Sequence, residues 1–291
     1  MNVALCLSGQ PRSFELSYKY LKHFLIDEYN IQDVFCHFWW DPETNSQGSL
    51  ASWSAQRLQT NNYIANNNLL ETLSNFYHPK SITYDLPRPN LPLSKEQLFE
   101  YKNLYQHNTN IPWKEMHEDY KKHMYNHLKS IIESQYKVNQ LKVKYEQSKG
   151  KKYDLVVRTR YDLAFRYQDT KRWEGRWGNF PSINQIKSKL EENSNYFFTE
   201  WDNLWIYSSE LHDKMIQGMW NNFDSLFSFI TLDEEINPFQ KMATKASPEH
   251  IQRAQAEKLG IFPELEIGIN CRLFLPNNEQ EYINLDNQWK I

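Results

Sequence analysis

The sequence predicts an α/β fold in which a mostly parallel sheet is flanked by helices, and three observations carry that prediction. Residues 3–7 (VALCL) form a short apolar run that ends abruptly in Ser8-Gly9-Gln10-Pro11-Arg12, as a buried strand feeding a loop does. From residue 13 to 25 apolar side chains recur at helical spacing, with Phe14, Tyr18, Leu21 and Leu25 on one face. Residues 33–40 (DVFCHFWW) read as a second buried strand. Strand, helix and strand at this spacing make a βαβ unit, the opening of a parallel sheet.

The later segments extend the pattern. Residues 61–76 are expected to be helical and 81–84 to form a short strand. Residues 86–113, with LPRPNLPL and QHNTNIPW, read as a polar insertion over a sheet face. A long helix is expected over 115–148, stopped by SKGKK, whose lysines complement the helix dipole. Residues 153–165 (YDLVVRTRYDLAF) begin as a buried strand and then carry Arg158, Arg160 and Asp162 at alternate positions. Residues 196–208 suggest two short strands around the corner Glu200-Trp201-Asp202. Residues 211–229 and 248–259 suggest helices, the latter with Pro248 at its start and Glu249 in its first turn. A last strand is expected at 271–275, and no internal repeat is present.

Composition narrows the function. The chain has 291 residues, 40% hydrophobic and 24% charged, which fits a folded protein with a sizeable core. Its net charge of -3, from 33 Lys+Arg against 36 Asp+Glu, gives no electrostatic footprint for a polyanion, so a nucleic-acid partner is not expected. Cys6, Cys36 and Cys271 fit neither a disulfide framework nor a CxxC pair. The N-terminus MNVALCLSGQPR lacks the pattern of a signal peptide, and no apolar run approaches the roughly 18 residues of a membrane span. A soluble, cytoplasmic protein without a membrane span is the expectation.

Two segments could carry chemistry. Ser8 to Arg12 lies between the first strand and the first helix, where a parallel sheet opens its ligand crevice. Gly9 lets a ligand approach the backbone, and Arg12 can fork onto a phosphate. In the strand of residues 153–165, alternation predicts that Arg158, Arg160 and Asp162 share one face. Burying those charges only to pair them gains little over apolar packing, so a ligand explains them better. Asp162 could hold a divalent ion bound to diphosphate oxygens, with the arginines on the phosphates or the base. His37, at the end of the second strand, could reach the same crevice. Asp202, in aromatic surroundings that raise a carboxylate's pKa, is the first candidate for a base; Glu249 is the second and Glu200 the third. His123 and His127 have the i,i+4 spacing of a zinc pair, but HExxH is absent, and a packed helix face accounts for them more simply.

The blocks ALCLSGQPRSF, VFCHFWW, YDLVVRTRYDLAF and DNLWIYSS, in that order, resemble a group of GT-A-type glycosyltransferases found in bacterial polysaccharide clusters and in large viruses and phages. The resemblance covers about the first 210 residues in blocks, with SPEHIQRAQAEKLGI as a weaker match. It implies a GT-A-like, Rossmann-like domain with residues 1–165 as the donor half and 166–291 as the acceptor-binding, catalytic half. It also implies transfer of a sugar from a UDP- or GDP-linked donor to a hydroxyl on a glycan acceptor. By the same resemblance Ser8, Gly9 and Arg12 touch the nucleotide, Asp202 lies near the sugar or acceptor, and Asp162 binds Mn²⁺ or Mg²⁺. The family's Asp-x-Asp triplet falls on Arg160-Tyr161-Asp162, where arginine replaces the first acid. Two rivals stand beside this reading. One is a sulfotransferase using a phosphosulfate donor, suggested by Pro11-Arg12-Ser13; the other is a carbohydrate-binding protein, suggested by the 15% aromatic content.

Overall fold

The structure, a computed structural model, describes residues 1–49, 62–64, 68–88, 94, 96–97, 100–101, 104, 111–167, 181–200, 203–232, 247–261, 264–266 and 269–273. In chain order its strands are β1 (Val3–Gly9), β2 (Asp33–Trp39), β3 (Ser46–Ser49), β4 (Asn62–Ile64), β5 (Ser81–Asp85), β6 (Leu155–Thr159), β7 (Leu163–Tyr167), β8 (Phe197–Glu200), β9 (Leu204–Ser208), β10 (Glu264–Glu266) and β11 (Ile269–Leu273). Its α-helices are α1 (Phe14–Leu21), α2 (Leu69–Tyr77), α3 (Glu118–Lys149), α4 (Ile183–Glu192), α5 (Ser209–Asn221), α6 (Phe223–Ile230) and α7 (Pro248–Lys258).

Seven strands form one mixed sheet in the order β10-β8-β9-β6-β1-β2-β5, so strands from both halves of the chain share it. β6, β1, β2 and β5 are parallel neighbours, whereas β9 runs antiparallel to both β6 and β8. The expectation of a mostly parallel sheet flanked by helices therefore holds in its coarse form.

The strands at the centre are buried on both faces, which is why they read as continuous apolar runs. Leu5, Leu7, Val157 and Ile206 pack with Phe14, Tyr20, Leu73 and Tyr77 of α1 and α2. On the opposite face Ala4, Cys6 and Val156 meet Val138 of α3, and Trp205 and Tyr207 meet Leu211 and Met215 of α5. Helix α3 ends where expected, on Gly150, whose φ of 63° closes the helix in a conformation that other residues adopt at a cost. Beneath the sheet the ammonium of Lys142 is fully buried between Glu146 (3.0 Å), Ser209 (2.8 Å) and Asp213 (2.8 Å).

Several expectations need correction. Residues 62–64 form β4, paired with β3, and the helix begins only at Leu69, after Asn68 caps the amide of Glu71. Residues 211–229 are two helices, α5 and α6, divided at Asn222, whose side-chain amide donates to Gly218 O and leaves the helical path. The segment 153–165 is two strands: β6 stays in the main sheet, while β7 leaves it and pairs antiparallel with β11. The last strand therefore lies outside the main sheet, and β10, a parallel neighbour of β8, was not expected from the sequence. Most of the polar insertion at 86–113 falls outside the described residues. Among the described residues no helix is long and apolar enough to cross a membrane.

Candidate functional site

The chain leaves β1 toward β2 and β5, then returns through α3 to β6 on the other side of β1. Strand order thus reverses between β1 and β6. In open α/β sheets the crevice at such a switch point, beyond the strands' C-terminal ends, is where ligands bind. Two of the segments singled out in the sequence meet there: the loop after β1 and the turn after β6.

The loop opens with Gly9 at φ 109°, a region that disfavours any side chain, and its far end holds Ser13 at φ 48°, ahead of α1. The strained turn brings Arg12 back over the sheet's end. Its Nη2 donates to Asp162 Oδ2 at 2.9 Å, and both side chains are buried.

The turn Arg160-Tyr161-Asp162 is held by its middle residue. Tyr161 is fully buried, with its hydroxyl 3.1 Å from Leu7 O and 3.2 Å from His37 O at the ends of β1 and β2. Ser17 of α1 donates to the Tyr161 carbonyl. With Tyr161 plugged into the core, Arg160 and Asp162 are left on the crevice side. Arg160 Nε donates to Asp162 Oδ1 at 2.9 Å and Nη2 to Oδ2 at 3.1 Å, a forked pair. Burial by itself would raise the pKa of Asp162; the charges and hydrogen bonds of Arg160 and Arg12 outweigh it and hold the carboxyl below its usual value. Two guanidiniums thus share one carboxylate at the crevice, with Arg160 the partly exposed member at 23%.

A second network sets the ends of β1 and β2. The Gly9 amide donates to Ser134 Oγ at 2.9 Å, and Ser134 Oγ lies 2.7 Å from His37 Nδ1. His37 Nε2 lies 3.0 Å from Asp85 Oδ2, and Lys137 also donates to Asp85. Donor accounting orders this chain: Ser134 donates to Nδ1, so Nε2 carries the proton and donates to Asp85. Burial lowers the His37 pKa, partly offset by Asp85. The histidine is 0% exposed, so it braces the Gly9 loop from below instead of facing a ligand.

The predicted site residues therefore divide. Ser8, Gly9, Arg12, Arg160 and Asp162 converge on the crevice, and His37 supports them. Arg158 does not join them, and the expectation that it shares a face with Arg160 and Asp162 is corrected. The pleat sends it to the α3 and α5 side, where it is 1% exposed and lies 5.6 Å from the Trp205 ring; β6 then ends at Thr159, so strand alternation stops before Arg160. Asp202 and the side chain of Glu200 lie outside the described residues. Adjacent Asn203 is described, and its carbonyl accepts from Thr159 Oγ1 at 2.8 Å, immediately before Arg160. Glu249 stands in the first turn of α7, whose Ile251 packs with Leu128 and Ile132 of α3.

Two participants escaped the sequence reading: the ring of Tyr161 and Ser134. Ser134 lies on α3, 97 positions from His37 and 125 from Gly9. Nothing in sequence says which part of a 32-residue helix passes the strand ends. Beside the site a cleft of about 440 Å³, lined by Asp41, Glu43, Ser46, Leu86, Pro87 and Arg88, opens at the ends of β2 and β5. Gln10 of the β1 loop bonds to Gln47 O on its flank at 2.8 Å.

The donor set fits a divalent cation poorly. Both Asp162 oxygens already accept guanidinium N–H groups, and an ion there would sit against two positive charges. Hard cations take about six or more oxygen ligands, and among the described residues no group of three His, Cys, Asp or Glu side chains could hold one.

No protein-family model, curated protein or solved structure matches this chain. Fold and site by themselves define an α/β protein with an Arg12–Asp162–Arg160 cluster at the switch point of its sheet.

Proposed function

We propose that the chain is a glycosyltransferase that moves a sugar from a nucleoside-diphosphate donor to a hydroxyl on a glycan acceptor. The observation that supports this best is the Arg12–Asp162–Arg160 cluster at the switch point, two guanidiniums held in place where a parallel sheet offers its ligand crevice. A leaving diphosphate gains negative charge as the glycosidic bond breaks, and donors fixed in advance stabilise that charge without reorganising. Asp162 does the fixing: it orients both guanidiniums. The adjoining cleft, rimmed by carboxylates and backbone, has room for a polyhydroxylated group.

Transfer also needs a base for the acceptor proton. Asp202 remains the first choice. Its neighbour in sequence, Asn203, accepts a hydrogen bond from Thr159, which directly precedes Arg160. Glu249 is the second.

A melting-temperature screen tests the reading. UDP or GDP should stabilise the protein, and adenosine 3′,5′-bisphosphate or free oligosaccharide should not. Stabilisation by the bisphosphate instead would favour the sulfotransferase reading, and by oligosaccharide alone the binding-protein reading. With an active donor and acceptor, Asp202→Asn should keep nucleotide binding and lose transfer by a factor of about 10² or more; unchanged turnover would remove Asp202 from the mechanism.

A further inference from the structure

We infer that the cleft at the ends of β2 and β5 holds the nucleoside of the donor and that Glu43 reads guanine there, so that the chain takes a GDP-linked sugar in preference to a UDP-linked one. The inference rests on the diphosphate reading above and adds the identity of the base, which that reading leaves open.

Position comes first. The sheet runs in the order β9-β6-β1-β2-β5. From the gap between β6 and β1, where the diphosphate reading puts the phosphates, to the gap between β2 and β5 is two strand spacings, or about 10 Å. That is the reach of a ribose and its base. On the other side of β6, β9 begins at Leu204 beside Thr159. Asp202, the proposed base, precedes it by two residues in sequence, so the sugar goes toward β9 and the nucleoside toward β2 and β5.

Charge then separates the parts of the donor. The ionisable groups lining the cleft are Asp41, Glu43 and Arg88. Arg88 is forked onto Glu133, with Nε 3.1 Å from Oε2 and Nη2 on the same oxygen, and Glu133 Oε1 lies 3.5 Å from Lys137 Nζ. A phosphate there would face two carboxylates and an arginine already paired, so the cleft suits the uncharged end of a nucleotide. Leu86 and Pro87 supply an apolar wall for a flat ring. Gly48 lies so close to Pro87 that a Cβ on it would stand 2.7 Å from the proline's, so the two walls meet there.

The carboxylates choose the base. Asp41 is occupied: Oδ1 accepts from the Glu43 amide at 3.0 Å and Oδ2 from the Thr44 hydroxyl at 2.6 Å. The Asp41 amide donates to Ser46 O at 2.8 Å, which closes the turn on itself. Glu43 stands exposed on that turn, and its carboxylate makes no hydrogen bond or ion pair among the described residues. Guanine presents two adjacent donors, N1–H and N2–H, spaced to meet the two oxygens of one carboxylate. Uracil presents one, N3–H, between two carbonyl oxygens that a carboxylate repels. An ionised carboxylate only accepts, so it favours the base with paired donors.

The test is titration calorimetry at about pH 7.5 with GDP, UDP and inosine diphosphate, which is GDP without its 2-amino group, on wild type and Glu43→Gln. Wild type should bind GDP at least about tenfold tighter than UDP and about fivefold tighter than inosine diphosphate. Glu43→Gln should bring GDP within about threefold of UDP by weakening GDP, because one amide oxygen cannot take both N–H groups as a carboxylate does. Equal binding of GDP and UDP, tighter binding of UDP, inosine diphosphate as tight as GDP, or a preference that Glu43→Gln leaves intact would each overturn the inference and leave the diphosphate reading standing. Binding of neither GDP nor UDP would overturn the reading itself.

Discussion

Arg12 Nη2 and Asp162 Oδ2 meet at 2.9 Å across 150 positions of sequence, tying the loop after β1 to the turn after β6. This one contact closes the switch point of the sheet, and its energetics are unequal on the two sides. Asp162 is wholly buried and held by two guanidiniums, whereas Arg160 keeps part of its surface in the crevice. Asp162→Asn is therefore expected to cost about 3 kcal/mol of stability, because it leaves two buried or half-buried cations without their shared carboxylate. Arg160→Gln should cost less stability but weaken UDP or GDP binding at least about tenfold. Urea unfolding and calorimetry on the two variants measure both effects. Equal stability loss with no loss of nucleotide affinity would remove Arg160 from the site.

Metal dependence follows from the same pair. With both Asp162 oxygens engaged, Mn²⁺ or Mg²⁺ should change nucleotide affinity by less than about threefold, the residual effect being that of a cation bound to nucleotide alone. Calorimetry with EDTA and then with excess Mn²⁺ checks this. An increase of tenfold or more would restore Asp162 as a metal ligand and require the arginine clamp to open.

Ser134 is expected to matter beyond its size. It is 1% exposed and joins the Gly9 amide to His37, so Ser134→Ala would strand a backbone donor beside a histidine whose Nδ1 has lost its hydroxyl partner. A stability loss of about 1–3 kcal/mol and a weaker nucleotide complex are expected. Ser134→Thr, which keeps the hydroxyl, should recover part of the affinity. Loss of stability with nucleotide affinity untouched would show that the network holds only the fold.

Acid should destabilise the protein before its carboxylates titrate. Burial lowers the pKa of His123, His212 and His250 to about 4. Unfolded histidines bind protons near pH 6.5, so the unfolded state holds more protons in this window and stability falls as pH drops from about 6.5 toward 4. Asp162 adds a later loss, as pH falls from its ordinary 3.8 through its lower folded value. His212 is 0% exposed, with Lys142, Asp213 and Arg158 acting on it, and its share is on the order of 2 kcal/mol at pH 5. Urea midpoints at about pH 7.5 and 5, for wild type and His212→Gln, measure this slope. A wild-type midpoint that does not move would mean that these histidines are not buried as uncharged rings.

How much was legible in sequence depends on the range of the interaction. Apolar runs bounded by Gly and Pro marked β1, and the run DVFCHFWW marked β2, because a strand buried on both faces must be apolar along its length. The caps and stops of α3 and α7 were equally local. The convergence of Arg12 with Arg160 and Asp162 was anticipated only because both segments follow parallel strands, whose C-terminal ends share a crevice. Where β6 stops was not legible: a run of alternating charges looks the same whether it continues in one sheet or turns into another. That turn separated Arg158, sealed over Trp205, from Arg160 and Asp162.

By itself the sequence determined the class of fold, most of its elements and the two segments that meet at the switch point, since these depend on periodicity and on turn chemistry within a few residues. The tertiary structure alone decided that Asp162 faces two guanidiniums and that His37 braces Gly9 through Ser134. Each of these joins residues 97 or more positions apart. Such contacts are fixed by packing, and local pattern carries no record of them.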